Sequence, residues 1–532
     1  MGSLGSGAPD VFVTISDWSN FTRQALKGYL LLEGKCERGP IGTAVLCSDF
    51  TDFRMTYGWL IDGSDFAYLV KRAMSYGARV VVNRIAHYED PADPTTLTAT
   101  RGEATLVDRA DPAKSTLGIT AINEGAWSRK IKWTVTDGTI NPSTEFNLII
   151  EIEDDLFVER EFYPNHTMET ILDAVNGVSK IVTIADLDSD TEAPGNRPAN
   201  GTGNLAEGDD GLTGLNAADY IGDESVGTGL YAFDEISYGR MLGVPECVDL
   251  DGTGPETVQA AVQTYCNTHR RQMMFALHSS LMALTPQDAA DYRNGTGKWE
   301  YAPINDWCGA MFYGDLKVLD PRTGNKLTYI NPIGDVGGAI AKGNSENRAY
   351  TPVAGSKYGL LSDVSGVRYN VGPIGKRGHA DILAEAQINP VVVTSRGCYI
   401  EGINTLQRES TQLQNIPTAW LLMAMKETLY EMLPSFQYMP INPRTCRLMA
   451  SELDPWLAGL VAEEGLYAYD LQCDQNATSI ANMTVNKLET IRQGILKGRV
   501  LIQPTVYAKW IGFTIGVGSP GVTLDYFETE TL

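Results

Sequence analysis

Asp65-Phe-Ala-Tyr-Leu-Val-Lys-Arg-Ala-Met-Ser75, then Gly77, then Arg79-Val-Val-Val-Asn-Arg-Ile85 decides the class of this fold. In the first run apolar residues recur at the spacing of one helical face, and a glycine stops it. The second is a short β-rich run with no alternation, as in a buried strand. Helix, stop and buried strand in succession predict an α/β layer. Upstream, Ile41-Gly-Thr-Ala-Val-Leu-Cys47 predicts another strand. The alternation resumes at Glu256-Thr-Val-Gln-Ala-Ala-Val-Gln-Thr-Tyr-Cys266, a helix with Val258, Val262 and Tyr265 on one face, and Gln272-Met-Met-Phe-Ala-Leu277 follows as a strand.

Between these halves the chain changes style. Leu117-Gly-Ile-Thr-Ala121, Lys130-Ile-Lys-Trp-Thr-Val135 and Phe146-Asn-Leu-Ile-Ile-Glu-Ile152 favour strands, and the later ones are separated by Asp137-Gly138 and Asn141-Pro142. A β module between two halves of an α/β unit reads as an inserted domain. Residues 185 to 235 carry twelve acids against the single base Arg197 and predict a partly disordered loop. Further on, Pro417 opens a helix with Leu421, Met425, Leu429 and Met432 at helical spacing, and Pro434 closes it. Arg499-Val-Leu-Ile-Gln503 and Val506-Tyr-Ala-Lys-Trp-Ile-Gly-Phe-Thr-Ile515 predict two last strands.

Both ends look like arms. Val11, Phe12, Val13, Thr14 and Ile15 follow a glycine-rich start, and Val522, Thr523, Leu524, Asp525, Tyr526 and Phe527 follow Gly516-Val-Gly518-Ser-Pro-Gly521. A lone strand on a flexible leash leaves its backbone groups unpaired. Adding it to a sheet edge of another molecule satisfies them; folding back onto its own sheet is the alternative. Arms at both ends suggest a polymer.

The chain has 532 residues, long for one core, and 43% of them are hydrophobic. It lacks a membrane-length apolar run and a signal peptide, so it is expected to be made and used without crossing a membrane unaided. Its net charge of −24, from 42 basic and 66 acidic residues, argues against a nucleic-acid binder. Eight scattered cysteines predict free buried thiols.

Little points to catalysis. Gly516-Val-Gly518-Ser-Pro-Gly521 matches a dinucleotide fingerprint, but too little chain follows to build the helix it needs. Asp186-Leu-Asp188-Ser-Asp190 begins like a calcium loop, then has Thr191 and Arg197 where glycine and a bidentate acid are required; Asp249-Leu-Asp251-Gly252 fails with Val258 at its closing position. Five dispersed histidines show no zinc spacing. No metal, cofactor or enzymatic activity is expected.

Several segments occur in a telling order: Arg38-Gly-Pro-Ile-Gly-Thr-Ala-Val-Leu-Cys-Ser48, Gly77-Ala-Arg-Val-Val-Val-Asn-Arg-Ile85, Ala121-Ile-Asn-Glu-Gly-Ala-Trp127, Ala218-Asp-Tyr-Ile-Gly222, Leu316-Lys-Val-Leu-Asp-Pro-Arg-Thr-Gly324, Val336-Gly-Gly-Ala-Ile-Ala341, Cys473-Asp474 and Gly498-Arg-Val500. Together they resemble the sheath protein of contractile, myovirus-type phage tails and related contractile injection particles. Two departures stand out: Ser128-Arg129 where the family usually has Gly-Asn, and Thr418-Ala419 where paired arginines often open the helix that faces the tube.

The resemblance implies a multidomain α+β and α/β protein. Its parts would be an N-terminal linking arm at 1–18, an α/β core at 19–86 and 228–409, an inserted β-rich outer domain at 87–227, a tube-facing α+β domain at 410–515, and a C-terminal linking arm at 516–532. It implies a structural subunit that polymerises helically around an inner tail tube and contracts, driving the tube through a cell envelope. Arms would exchange strands between copies. Given the missing arginines, Arg408, Lys426, Lys497 and Arg499 are the candidates for tube contact. Implied partners are further copies, the tube protein, baseplate and terminator proteins, with neither nucleic acid nor membrane insertion. The implied location is the virion tail, assembled in host bacterial cytoplasm. A sheath from a non-viral injection particle is one alternative, and a tail-associated hydrolase is another.

Overall fold

The computed structural model describes residues 29–509, except 111, 155–156, 237–238, 271–272, 280, 325 and 347–349. Both expected arm strands, 11–15 and 522–527, lie outside the described residues. The chain forms two compact units, the first ending at Met432 and the second starting at Leu433. The sequence reading starts the last domain at about 410; helix Ile416–Met432 belongs to the first unit.

A nine-stranded sheet organises the first unit. Its middle is parallel, in the order Ile388–Thr394, Gly309–Tyr313, Met274–His278, Met241–Gly243, Tyr29–Gly34, Arg79–Arg84. These strands are buried almost throughout, as expected where helices cover both faces. Short antiparallel strands close the edges: Val45–Cys47 on one side, Gly397–Ile400 and Leu360–Leu361 on the other. Edges this short offer little template for unwanted pairing.

Helix Phe66–Ser75 lies where its apolar spacing predicts, and Gly77 ends it at φ 85°, a conformation that disfavours a side chain. It packs against helix Ile333–Glu346. An ion pair clamps the two: Arg72 Nε and Nη2 donate to the Asp335 carboxylate at 2.7 and 2.6 Å, and Tyr76 Oη donates to the same group at 3.0 Å. Asp335 is fully buried.

The inserted module comprises a three-stranded antiparallel sheet (Glu103–Val107, Ser115–Ala121, Val182–Asp186), a four-stranded one (Gly201–Asn204, Ile131–Asp137, Phe146–Asp154, Phe157–His166) and helix Met168–Val175. It has its own core, including Leu117, Ile119, Trp127, Leu148, Ile150 and Ile171. Chain entry and exit are tied together, because Asn83 Nδ2 donates to the Gly229 carbonyl at 2.9 Å.

Several expectations change. Within Ile41–Cys47 only Val45–Cys47 is a strand; Gly42, at φ 68°, breaks the run and Ile41 makes a single bridge to Arg84. Residues 185–235 contain strand Gly201–Asn204, helix Ala217–Ile221 and turn Gly229–Phe233, so the region is built rather than disordered. Val506–Lys509 form no strand, and the rest of that expected element lies outside the described residues. In helix Ile416–Met432, Leu421 and Met425 are buried but Leu429 and Met432 only half so. All eight cysteines are buried and unpaired, as expected.

Candidate assembly surface

The second unit is a small α+β piece. Asn442 caps helix Pro443–Ala462, its Oδ1 accepting from Thr445 N at 3.0 Å with proline in the first turn. The helix packs on strand Leu466–Gln472, which pairs antiparallel with Arg499–Pro504. Among the described residues this sheet has two strands, so each keeps one edge without a strand. Such a pair is marginal in water.

Its connecting loop is held by Asp474. That carboxylate accepts from the backbone N–H of Thr484, Val485 and Asn486 and from Asn486 Nδ2, at 2.6 to 3.1 Å. Burial pushes the carboxyl up, yet the donors of Val485, Thr484 and Asn486 outweigh it and hold the pKa at about 2. Asp474 sits at φ 56°, which aims its side chain back at the loop. Next to it, burial raises the Cys473 thiol to about 11, leaving it unreactive.

Packing in this unit is open. Among its described residues eleven apolar side chains are buried and ten large ones are exposed, among them Tyr467 and Leu501 on the sheet and Tyr438 and Leu488 outside it. Among the described residues of the first unit ninety-two are buried against seventeen exposed. Charge differs as sharply. Residues 433–509 hold seven acidic and seven basic side chains, while 87–227 hold twenty-seven acidic and nine basic. An electroneutral, apolar surface with open sheet edges is suited to being covered by protein.

The four candidate tube contacts divide between the units. Lys497 and Arg499 flank Gly498, both exposed, at the start of the last strand. Arg408 is exposed and donates to Asn294 at 2.9 Å. Lys426 is half-buried beside Glu427, whose carboxylate pairs with Arg240 at 3.2 Å. The sequence reading missed strand Leu466–Gln472 and helix Pro443–Ala462; the readable signals were an Asn-Pro cap and apolar residues at both ends of the strand.

One cluster has the residue types of a nucleophilic site and not its geometry. Ser279, His278 and Asp315 lie together, but His278 Nδ1 faces the Ser279 carbonyl at 2.7 Å and Nε2 faces Asp315 at 3.2 Å. The Ser279 hydroxyl makes no hydrogen bond, so neither ring nitrogen is placed to take its proton. Among the described residues no His, Cys, Asp or Glu group is arranged to hold a metal ion, and no helix is long and apolar enough to cross a membrane.

No family model matches the chain, and no curated protein matches it in sequence. Solved structures do match in fold. The sheath tail protein from Listeria innocua is 11% identical with a TM-score of 0.58, over 86% of this chain and 93% of that one. The sheath tail protein from Desulfitobacterium hafniense is 12% identical with a TM-score of 0.56, over 87% and 94%. The contracted helical sheath of the anti-feeding prophage is 12% identical with a TM-score of 0.54, over 96% and 99%. The chain therefore has the fold of contractile sheath proteins, and these neighbours are structural proteins rather than enzymes.

Proposed function

We propose that this chain is the structural subunit of a contractile sheath, polymerising helically around an inner tube and contracting to drive that tube into a target cell. The observation that carries the reading is the second unit, with exposed apolar side chains, balanced charge and a sheet that has two strands and open edges among the described residues. Strands from neighbouring copies are the natural cover for such edges. Residues 11–15 and 522–527 are the segments suited to supply them. Likeness in fold to sheath proteins over nearly the whole chain supports the same reading. On this reading Lys497 and Arg499, and with them Arg408 and Lys426, are candidates to meet the tube, and baseplate and terminator proteins bound the polymer. Contraction needs two packings of one subunit and no consumed cofactor.

Negative-stain electron microscopy of the purified protein tests this, alone and with the candidate tube protein. Hollow tubes are expected, and removing residues 1–17 should abolish long polymers while the subunit stays folded. Tubes of normal length from the trimmed protein would overturn the role of the arm; dispersed particles under both conditions would overturn the sheath. The reading spans phage tails, with the virion as location after assembly in host cytoplasm, and non-viral injection particles. Head and packaging genes beside this one would decide for a phage.

A further inference from the structure

Strands Leu316–Leu319, Leu327–Ile330 and Gly366–Val367 form a small sheet with unlike faces. Leu316, Val318 and Ile330 are buried on one. On the other, Leu319 and Leu327 stand directly opposite each other, 50% and 48% exposed, with Tyr329 at 39%. Cations frame them. Lys317 and Arg368 approach the Tyr329 ring at 5.9 and 4.7 Å, with Arg368 also paired to Asp315 at 2.6 Å, and Lys326 is exposed beside Leu327. An apolar face bordered by Lys317 and Lys326 calls for a partner that is apolar and acidic.

The inserted module carries a surface of that chemistry. Asp108, 1% exposed, accepts from the Ser189 and Thr191 hydroxyls at 2.7 and 2.6 Å. Hydrogen bonds from Thr191 and the Lys114 backbone hold its carboxyl well below the usual range. Ser189 and Thr191 are thus drawn inward, while Asp188, Asp190 and Glu192 are exposed, with Leu187 42% exposed among them. The segment is an ordered acidic rim with an apolar residue in it. Among the described residues its ion pair, Asp190 with Lys114 at 3.4 Å, and its hydrogen bonds to Asp108 stay within the inserted module.

We propose that the Leu319–Leu327–Tyr329 face of one copy binds the Leu187–Glu192 rim of the inserted module of a second copy. This deepens the sheath reading and rests on it. The two surfaces differ, so the contact is heterologous: each copy uses its face on one neighbour and its rim on another, and the arrangement propagates without closing. Module charge, twenty-seven acids against nine bases, makes contact between two modules unfavourable and contact with a basic face favourable.

The test is a charge swap in the full-length protein, scored as the critical concentration for polymer by sedimentation, with and without the candidate tube protein. Lys317→Glu with Lys326→Glu should raise it about tenfold or more, and Asp190→Lys with Glu192→Lys should do the same. All four substitutions together should return it to within about threefold of wild type, since the new pairs attract again. Thermal melts of each subunit should be unchanged, because the side chains are exposed or half-exposed. Single-face variants that assemble normally would overturn this contact alone. A four-fold variant no better than its parents would give the face another occupant and overturn the pairing. A wild-type chain that never polymerises would overturn the sheath reading and this contact with it.

Discussion

The inserted module and the second unit are both small α+β pieces, and their surfaces are opposites. The module buries Leu117, Ile119, Leu148 and Ile150 between its own sheets and carries twenty-seven acids against nine bases. The second unit leaves Tyr438, Tyr467, Leu488 and Leu501 on its surface and has no net charge over 433–509. A piece that closes its own core and carries net negative charge is stable in water and repels another of its kind. One that leaves apolar side chains open and has no net charge is suited to being covered.

That contrast breaks first where the core is complete. Ile150, with no exposed surface, should cost about 3 kcal/mol when truncated to alanine, read by chemical denaturation of the isolated subunit and unaltered in polymer. A loss below about 1 kcal/mol would mean that the module is not independently packed.

A comparable effect is expected from pH in the first unit. Glu246, 4% exposed, accepts from the Lys35 backbone N–H at 2.8 Å and from the Ser64 hydroxyl. Burial raises its pKa from 4.5 to about 7, against the pull of Lys35. The folded state therefore holds the proton more tightly than the unfolded chain. This stabilisation is complete below pH 4.5 and is lost as pH rises through about 7, roughly 3 kcal/mol in all. Glu246→Gln, whose amide can donate to Ser64 while its oxygen accepts from Lys35, should flatten that part of the stability profile. An unchanged slope between pH 5 and pH 7.5, roughly the window of the shift, would rule out Glu246 as its source.

In the second unit, Asp474→Ala should cost about 2 kcal/mol by freeing the backbone donors of residues 484–486. The wild-type contribution is present above pH 3.8 and is lost as pH falls through about 2. The smallest effect sharpens the comparison most. Leu501→Ser should change the isolated subunit by less than about 0.5 kcal/mol, since the side chain is 51% exposed, yet weaken polymer measurably in the sedimentation assay. Equal effects in both states would mean that Leu501 is not covered on assembly.

Much of the first unit was readable from local pattern. The helix Phe66–Ser75 and the strand Arg79–Arg84 follow from apolar spacing and a stop signal. Strand Tyr29–Gly34 is central yet went unread, because a parallel strand buried on both faces has no alternation and this one carries Glu33, fully buried against Asn83. Strand Gly201–Asn204 has almost no β propensity. Gly203 is required by a neighbour: a Cβ there would sit 2.9 Å from the Trp133 ring. Composition made that region look disordered, and only the indole explains it. In the candidate surface the last strand was legible from its apolar run, whereas its partner Leu466–Gln472 was hidden by exposed Tyr467 and Ala468.

The hydrogen bond from Asn83 to Gly229 brings the two ends of a long excursion to a single point. Its near ends are tied into the scaffold, Tyr220 by packing in the first unit's core, Glu124 by accepting from Arg84 at 2.8 Å and Lys130 by pairing with Glu37, whereas the contacts described for the strands and helix from 131 to 204 lie within the module. Residues from about 131 to 204 could be exchanged for a different module, or for a short bridge, with the strand order of the central sheet intact. The sheet is then a socket whose strand order is set without the strands of the module it carries.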